Sequence, residues 1–180
     1  MDKKEKMQSA YDQTSEHYDD RYWNIQIHKY SAFEKDFLGD KSSLIIDSGG
    51  GTGLLARYLK REIVILDISI GMLKVAQRNY SSVHLIAADG EKLPLRKESS
   101  DLVTSFSMVQ NLPSPQKGVR EIVRCSSSKG IITSLARAVG YDKLMNSLNE
   151  CNVKYEPVEL SQEDVGFRFL LLPQTHSRHS

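Results

Sequence analysis

The chain has 180 residues, of which 39% are hydrophobic and 26% charged, a composition that is ordinary for one globular domain with its own core. Its net charge of +1 gives no sign of the basic surface that binds nucleic acid, and no apolar stretch approaches the ~20 residues that a membrane span needs. The two cysteines, Cys125 and Cys151, have no metal-binding spacing, so we expect no metal site and a cytoplasmic protein.

The first 40 residues carry helical patterns. Apolar and aromatic residues recur at helical spacing over residues 7–18 and again over residues 30–37. We therefore predict two helices before the first strand, with a break near Trp23.

Short runs rich in β-branched residues then alternate with segments of helical period. The predicted strands are residues 44–46, 63–66, 83–87, 102–106 and 131–135. Two of the intervening helices have clear start signals, a capping serine at Ser69 and a proline at Pro115. Strands that are joined by crossover helices lie parallel, so the sequence predicts an α/β fold.

The last segment follows a different pattern. After a predicted helix from Tyr141 to Glu150, two extended runs, 153–160 and 165–172, are separated by only four residues. Such a gap permits an antiparallel hairpin but no parallel crossover. We expect one domain over residues 1–172, with a helical lid (1–40), a core (44–172) and a flexible tail (173–180).

Three aspartates, Asp47, Asp67 and Asp89, each follow a predicted strand at intervals of about 20 residues. The first leads directly into the glycine-rich loop Gly49-Gly50-Gly51-Thr52-Gly53. The carboxyl ends of parallel strands share one edge of the sheet, which is where open α/β folds bind ligands. Closely spaced glycines let a ligand approach the backbone and the amides of the following helix.

The charge of Asp47 discriminates between two ligands for this loop. The run from Gly51 to Ala56 satisfies the loose dinucleotide pattern, so an NAD(P)-dependent oxidoreductase stays an alternative. A carboxylate at Asp47 would, however, repel a pyrophosphate, whereas it would attract the ammonium and sulfonium of S-adenosylmethionine. Asp67 suits the ribose of either cofactor, and Asp89 suits an exocyclic adenine amine.

These features resemble the class I S-adenosylmethionine-dependent methyltransferases, in particular the type 11 group that contains the quinone-biosynthesis methylases. Four motifs occur in order and at normal spacing: 45–53, 66–73, 88–95 and 101–103. The resemblance covers roughly residues 44–135, and the strand–helix rhythm extends it to about residue 172. It implies a Rossmann-like, doubly wound sheet of seven strands, mostly parallel, with the antiparallel hairpin at its C-terminal end.

The resemblance also assigns residues to the cofactor, and it implies S-adenosylhomocysteine as the product. Asp47 and the backbone at Gly49 and Gly51 would meet the methionine end, and the other loop glycines, Gly50 and Gly53, would also bind the cofactor. The residues implied for the remainder of the cofactor are Asp67 at the ribose, Ile68 and Met72 on the adenine, Asp89 and Gly90 at its amine, and Ser105 and Phe106 under the methyl donor. Tyr11 and Tyr18, on the first helix, would close over the site.

Two departures from the family pattern stand out. Where relatives often have a Pro-Gly-Gly turn before the fifth strand, this chain has 126–130, Ser-Ser-Ser-Lys-Gly, which we interpret as a substitute turn. Only residues 136–140 separate the fifth strand from the next helix, too few for the cap of many small-molecule methylases. The substrate side should be open unless residues 1–40, a second copy of the chain or a partner subunit cover it.

No catalytic residue is identified, because methyl transfer from a sulfonium needs alignment more than a general base. A small-molecule acceptor is favoured slightly over RNA or protein, for which a partner subunit would be expected. A non-catalytic methyltransferase-fold subunit that binds cofactor stays a further alternative.

Overall fold

A computed structural model describes residues 2–38, 43–135, 141–161 and 163–171. Its helices are α1 (Lys3–Thr14), α2 (Tyr18–Ala32), α3 (Glu34–Phe37), α4 (Leu54–Leu59), α5 (Ile70–Asn79), α6 (Pro115–Cys125) and α7 (Tyr141–Glu150). Short 3₁₀ helices cover Ser15–His17 and Val109–Asn111. The strands are β1 (Ile45–Ser48), β2 (Ile63–Asp67), β3 (Val83–Ala87), β4 (Ser100–Phe106), β5 (Ser126–Leu135), β6 (Lys154–Glu159) and β7 (Asp164–Leu170).

The seven strands form one sheet in the order β3-β2-β1-β4-β5-β7-β6. All neighbouring pairs are parallel except those of β7, which runs antiparallel to both β5 and β6. The predicted Rossmann-like α/β fold with an antiparallel C-terminal hairpin is therefore confirmed. The strand order reverses between β1 and β4, which opens a crevice at their carboxyl ends.

Both faces of the sheet are covered, because successive residues of a strand point to opposite sides. On β1, Ile45 joins one buried cluster and Ile46 the other, and Leu102 and Val103 divide in the same way on β4. The first cluster packs against α2, α4 and α5, and the second packs against α6 and α7. This arrangement holds the ends of β1 and β4 rigidly in place beneath the crevice.

The predicted helix break near Trp23 is wrong. Trp23 lies inside α2, where the Arg57 guanidinium of α4 stacks 3.9 Å from the centre of its ring. The interruption occurs instead over Ser15–His17, where the Ser15 hydroxyl donates to the Asp12 carbonyl. A side chain that hydrogen-bonds to the preceding turn competes with the regular helix, so the serine is the local signal for the interruption.

The interpretation of residues 126–130 as a turn is also wrong. β5 begins at Ser126, directly after α6, and the Ser126 hydroxyl donates to the Ile122 carbonyl at the helix end. The pairing of β4 with β5 shifts register between Ser100 and Leu102. The chain therefore passes from α6 into β5 at the helix end, without a glycine turn.

No helix among the described residues is both long and apolar enough to cross a bilayer. The proposed tail, 173–180, and the short connection 136–140 lie outside the described residues. The single-domain organisation and the cytoplasmic location stay predictions.

Candidate functional site

The glycine loop joins β1 to α4 at the crevice. Gly49 and Gly51 have positive φ angles of 76° and 55°, which side chains other than glycine rarely adopt. A Cβ at Gly49 would also lie 2.3 Å from Cγ of Met108. The Gly51 amide donates to Oδ2 of Asp67 over 2.9 Å, so the loop is tied to the end of β2.

Asp47 lies beneath this loop and is only 3% exposed. Among the described residues, only the Thr104 hydroxyl of β4 donates to its carboxylate, over 2.7 Å. Burial raises the pKa of Asp47 to about 7; the Thr104 hydrogen bond lowers it, and the neighbouring charge of Asp67 raises it by a smaller amount. A cation placed here would stabilise the ionised form.

Asp67, at the end of β2, is held by backbone amides. Its Oδ1 accepts from the Ser69 amide over 2.8 Å, and Oδ2 accepts from Gly51. Burial raises its pKa to about 6 despite these hydrogen bonds. The carboxylate is thus fixed in orientation at the edge of the crevice, and it retains lone pairs for a ligand hydroxyl.

Asp89 has a cationic partner that the sequence analysis did not identify. Nζ of Lys4, from α1, lies 2.5 Å from its Oδ2, and the same ammonium pairs with Glu91. Burial opposes ionisation of Asp89, but the hydrogen bonds from Lys4 and from the Glu91 amide outweigh it and hold the pKa below its usual range. Lys4 therefore fastens α1 across the carboxyl end of β3.

Most of the predicted residues line one cavity of about 60 Å³. They are Gly49, Gly51, Asp67, Ile68, Met72, Asp89, Gly90 and Phe106, with Tyr11 and Tyr18 on the side of the N-terminal helices. Residues that the sequence analysis missed complete the lining, among them Met7, Ser107, Met108 and Asn111. Ser107 directly follows the predicted fourth strand, so the carboxyl-end rule itself could have found it.

A smaller cavity of about 20 Å³ adjoins the loop on the side of α2. Asp47 and Gly50 line it together with Tyr18, Tyr30 and Gln26. Gln26 is 6% exposed, and its Oε1 has no hydrogen-bond partner among the described residues. A buried amide oxygen and a buried carboxylate thus face the same space, and both accept hydrogen bonds.

Two of the predicted residues line neither cavity. Gly53 begins α4 with a φ of 86°, and a Cβ there would lie 3.0 Å from the Tyr80 ring. Ser105 is fully buried in β4, and its hydroxyl has no partner among the described residues. The contribution of Gly53 is to the shape of the loop.

The N-terminal helices lie against the crevice, and their role as a lid stays a prediction. The Tyr11 hydroxyl accepts from Nδ2 of Asn111 over 2.9 Å. Oδ1 of Asp12 accepts from the Ser69 hydroxyl over 2.6 Å and from the Gly71 amide over 2.8 Å, which docks α1 onto the start of α5.

No group of three or more potential metal-binding side chains occurs within the described part of the chain.

The residues present fit an adenosyl cofactor with a cationic amino-acid end. Hydrogen-bond acceptors converge on the small cavity, and the buried Asp47 requires a positive partner when ionised. A Cβ at Gly49 or Gly50 would lie within 2.7 Å of a neighbouring side chain, and Met72 and Ile68 offer apolar surfaces in the larger cavity. A pyrophosphate in the position of the loop would face Asp47 without a compensating cation.

Comparison with known proteins agrees with this geometry. Residues 46–134 match the family model of a methyltransferase domain. A malonyl-[acyl-carrier protein] O-methyltransferase of Enterobacter lignolyticus is 30% identical over 138 residues, which cover 74% of this chain and 55% of that protein. A demethylmenaquinone methyltransferase of Renibacterium salmoninarum is 34% identical over 89 residues, covering 48% of this chain and 38% of that protein.

A solved structure supports the fold. A SAM-dependent methyltransferase from Aquifex aeolicus superposes with a TM-score of 0.75 at 16% identity, over 89% of this chain and 98% of that one. The chain spans about half the length of the carrier-protein methyltransferase that it matches. The domain match, the relatives and the fold together place this chain among the class I S-adenosylmethionine-dependent methyltransferases.

Proposed function

We propose that the protein transfers a methyl group from S-adenosylmethionine to a small-molecule acceptor. The observation that carries the proposal is the convergence of Asp47, Asp67 and Asp89 at the carboxyl edge of the sheet, with Asp47 buried beneath the glycine loop and contacted by no cation among the described residues. The names of two relatives, a malonyl-[acyl-carrier protein] O-methyltransferase and a demethylmenaquinone methyltransferase, support an acceptor group of small-molecule size.

The proposed roles follow the two cavities. Asp47 and Oε1 of Gln26 would accept hydrogen bonds from the cofactor ammonium in the smaller cavity. Asp67 would hold the ribose hydroxyls, while Ile68 and Met72 would pack on the adenine and Asp89 would face its amine. Gly49, Gly50, Gly51 and Gly90 would allow close approach, and Phe106 would lie near the reacting centre beside Ser105.

S-adenosylmethionine, when bound, supplies an electrophilic methyl group on its sulfonium. The chain contributes orientation and the exclusion of water. Tyr11 and Tyr18, which line the larger cavity from the side of α1 and α2, would act as the lid. Holding two reactants in line can contribute several orders of magnitude to the rate without any proton transfer by the protein.

Thermal shift and calorimetry with S-adenosylmethionine, S-adenosylhomocysteine and NADH test the cofactor. A ligand at 100 times its dissociation constant adds about 2.7 kcal/mol to the free energy of unfolding. We expect stabilisation by both adenosyl ligands and none by NADH. Stabilisation by NADH alone would contradict the proposal, whereas binding of adenosyl ligands without methyl transfer to any extract component would indicate a non-catalytic subunit.

The variant Asp67→Asn tests the ribose contact. It keeps one acceptor oxygen for the Ser69 amide but removes the charge, so we expect the affinity for S-adenosylhomocysteine to fall by at least ~1 kcal/mol. Asp20→Asn on the exposed side of α2 makes the same chemical change away from both cavities and serves as the control. Equal affinities of the two variants would restrict Asp67 to a structural role.

A further inference from the structure

A buried lysine outside the proposed cofactor contacts reaches the edge of the larger cavity. Lys29 of α2 is 4% exposed, and its Nζ donates to Oγ of Ser107 over 2.6 Å. The same Nζ lies 2.9 Å from Oδ1 of Asp164, at the start of β7. Burying an ammonium is costly unless it is paired, and here the pairing leaves the three residues neutral overall.

Ser107 occupies a strained backbone position in the lining of the larger cavity. It follows β4 with a φ of 58°, and its amide donates to the Thr133 carbonyl and hydroxyl of β5. Non-glycine residues rarely adopt this conformation, and they do so mostly where the surroundings enforce it. The strain and the two hydrogen bonds hold Ser107 in the cavity lining, beside Phe106 and Met108.

The direction of the hydrogen bond from Lys29 determines whether the Ser107 hydroxyl can donate a hydrogen bond to a ligand. An ammonium only donates, so Oγ of Ser107 acts as the acceptor in this contact. The Ser107 O–H is left without an acceptor among the described residues, and the neighbouring positive charge polarises it. A polarised hydroxyl donor at the carboxyl end of β4 suits a ligand oxygen with an available lone pair.

We propose that Ser107 donates a hydrogen bond to the oxygen of the methyl acceptor, with Lys29 and Asp164 as positioning residues, and that the acceptor is therefore a carboxylate or a phenolic oxygen. This inference rests on the proposed function. In the transfer, a lone pair of the acceptor oxygen forms the new bond to the methyl carbon as the carbon–sulfur bond breaks, and the electron pair of that bond stays on sulfur. A carboxylate has no proton to release, and a phenol loses its proton to solvent.

Binding to the S-adenosylhomocysteine complex tests the proposal without turnover. The probes are malonyl-coenzyme A for a carboxylate and 1,4-naphthohydroquinone for a phenolic oxygen, each titrated calorimetrically into the complex. We expect one probe to bind, and Ser107→Ala to weaken it about tenfold or more, while the affinity for S-adenosylhomocysteine changes less than twofold. Ser107→Gly, which relieves the backbone strain, should show the same loss as Ser107→Ala.

Two variants test whether Lys29 positions the Ser107 hydroxyl for the probe or only stabilises the fold. Lys29→Met should weaken the probe and lower the melting temperature, because it leaves Asp164 buried without its partner. The double variant Lys29→Met with Asp164→Asn should have a melting temperature close to that of the wild type, but its affinity for the probe should stay as low as that of Lys29→Met. Lys35→Met, on the exposed side of α3, is the charge-matched control and should change neither quantity.

Four outcomes would overturn the proposal. They are a wild-type complex that binds neither probe, an unchanged probe affinity in Ser107→Ala, a parallel loss of S-adenosylhomocysteine affinity in that variant, and recovery of probe affinity in the double variant. The third outcome would assign the hydroxyl to the cofactor, and the fourth would make the ion pair purely structural. A wild-type protein that does not bind S-adenosylhomocysteine would overturn the proposed function and this assignment with it.

Discussion

At the scale of single residues, the charge of Asp47 favours binding of a cationic ligand but destabilises the ligand-free protein. Its carboxylate is buried with one hydroxyl donor among the described residues, Thr104, and burial raises its pKa to about 7. A buried charge without a counter-ion destabilises a protein, but the same charge attracts a cationic ligand. The two effects have opposite signs, so a single substitution can separate them.

The substitution Asp47→Asn removes the charge and keeps an acceptor for the Thr104 hydroxyl. At pH 8 we expect the ligand-free variant to melt at a higher temperature than the wild type and to bind S-adenosylmethionine at least about tenfold more weakly. Differential scanning fluorimetry and calorimetry measure the two quantities. A variant that is destabilised and binds normally would contradict the role given to Asp47, and Asp20→Asn is the matched control.

The residues that the sequence revealed share one property. Asp47, Asp67 and Asp89 each follow a strand directly, so position along the chain was enough to place them at the ligand edge. The contacts of Lys4 and Lys29 were not predicted, because their partners are distant in sequence. Asp89 lies 85 residues after Lys4, and Ser107 lies 78 residues after Lys29. Nothing local in a helical sequence specifies which distant carboxylate or hydroxyl a lysine will meet.

At the scale of elements, the strands were more predictable than the N-terminal helices. The central strands β1 and β4 are largely buried, and the β-branched runs of the strands are local signals. β3 (Val83–Ala87) has the predicted limits although none of its residues is fully buried. No residue of α1 (Lys3–Thr14) is buried, so its apolar pattern is weak and gives little information on where it docks. Its position depends instead on polar contacts with α5 and with the ends of β3 and β4.

The docking of α1 on α5 can be tested at Gly71. A Cβ at this position would lie 2.9 Å from Cα of Asp12 and 3.1 Å from its carbonyl oxygen, both in α1. Alanine favours α5 itself by up to about 1 kcal/mol, so Gly71→Ala should leave the core stable while it displaces α1. We expect faster amide exchange over residues 3–14 and faster dissociation of S-adenosylhomocysteine.

The exposed Lys74 of α5 provides the control for that experiment. Lys74→Ala changes the same helix away from α1, so it should leave exchange over residues 3–14 and ligand dissociation as in the wild type. Normal exchange in Gly71→Ala would mean that α1 adjusts to the added methyl group, and the role of α1 as a tightly docked lid would then be wrong.

At the scale of the whole molecule, a net charge of +1 conceals a strongly acidic crevice. The fold places Asp47 and Asp67 at the carboxyl ends of the adjacent strands β1 and β2, where burial raises the pKa of both and the charge of Asp67 raises the pKa of Asp47 further. Lys4 compensates Asp89 on the lid side, and Lys29 is already neutralised by Asp164. The uncompensated charge therefore remains beside the glycine loop, where a cationic cofactor would neutralise it.

This distribution predicts how stability depends on pH with and without ligand. Between pH 4 and 7 the folded Asp47 retains a proton that the unfolded chain, with a pKa of 3.8, has released, so raising the pH lowers the free energy of unfolding. At about 1.4 kcal/mol per pH unit, this loss reaches about 4 kcal/mol by pH 7, and Asp67 contributes in the same direction up to about pH 6.

A bound cation stabilises the ionised carboxylates and removes this loss of stability. The melting-temperature shift caused by S-adenosylmethionine should therefore grow from pH 5 to pH 8, and calorimetry at pH 6 in two buffers of different ionisation enthalpy should detect proton release on binding. A shift that is constant over this range would show that no cation approaches Asp47.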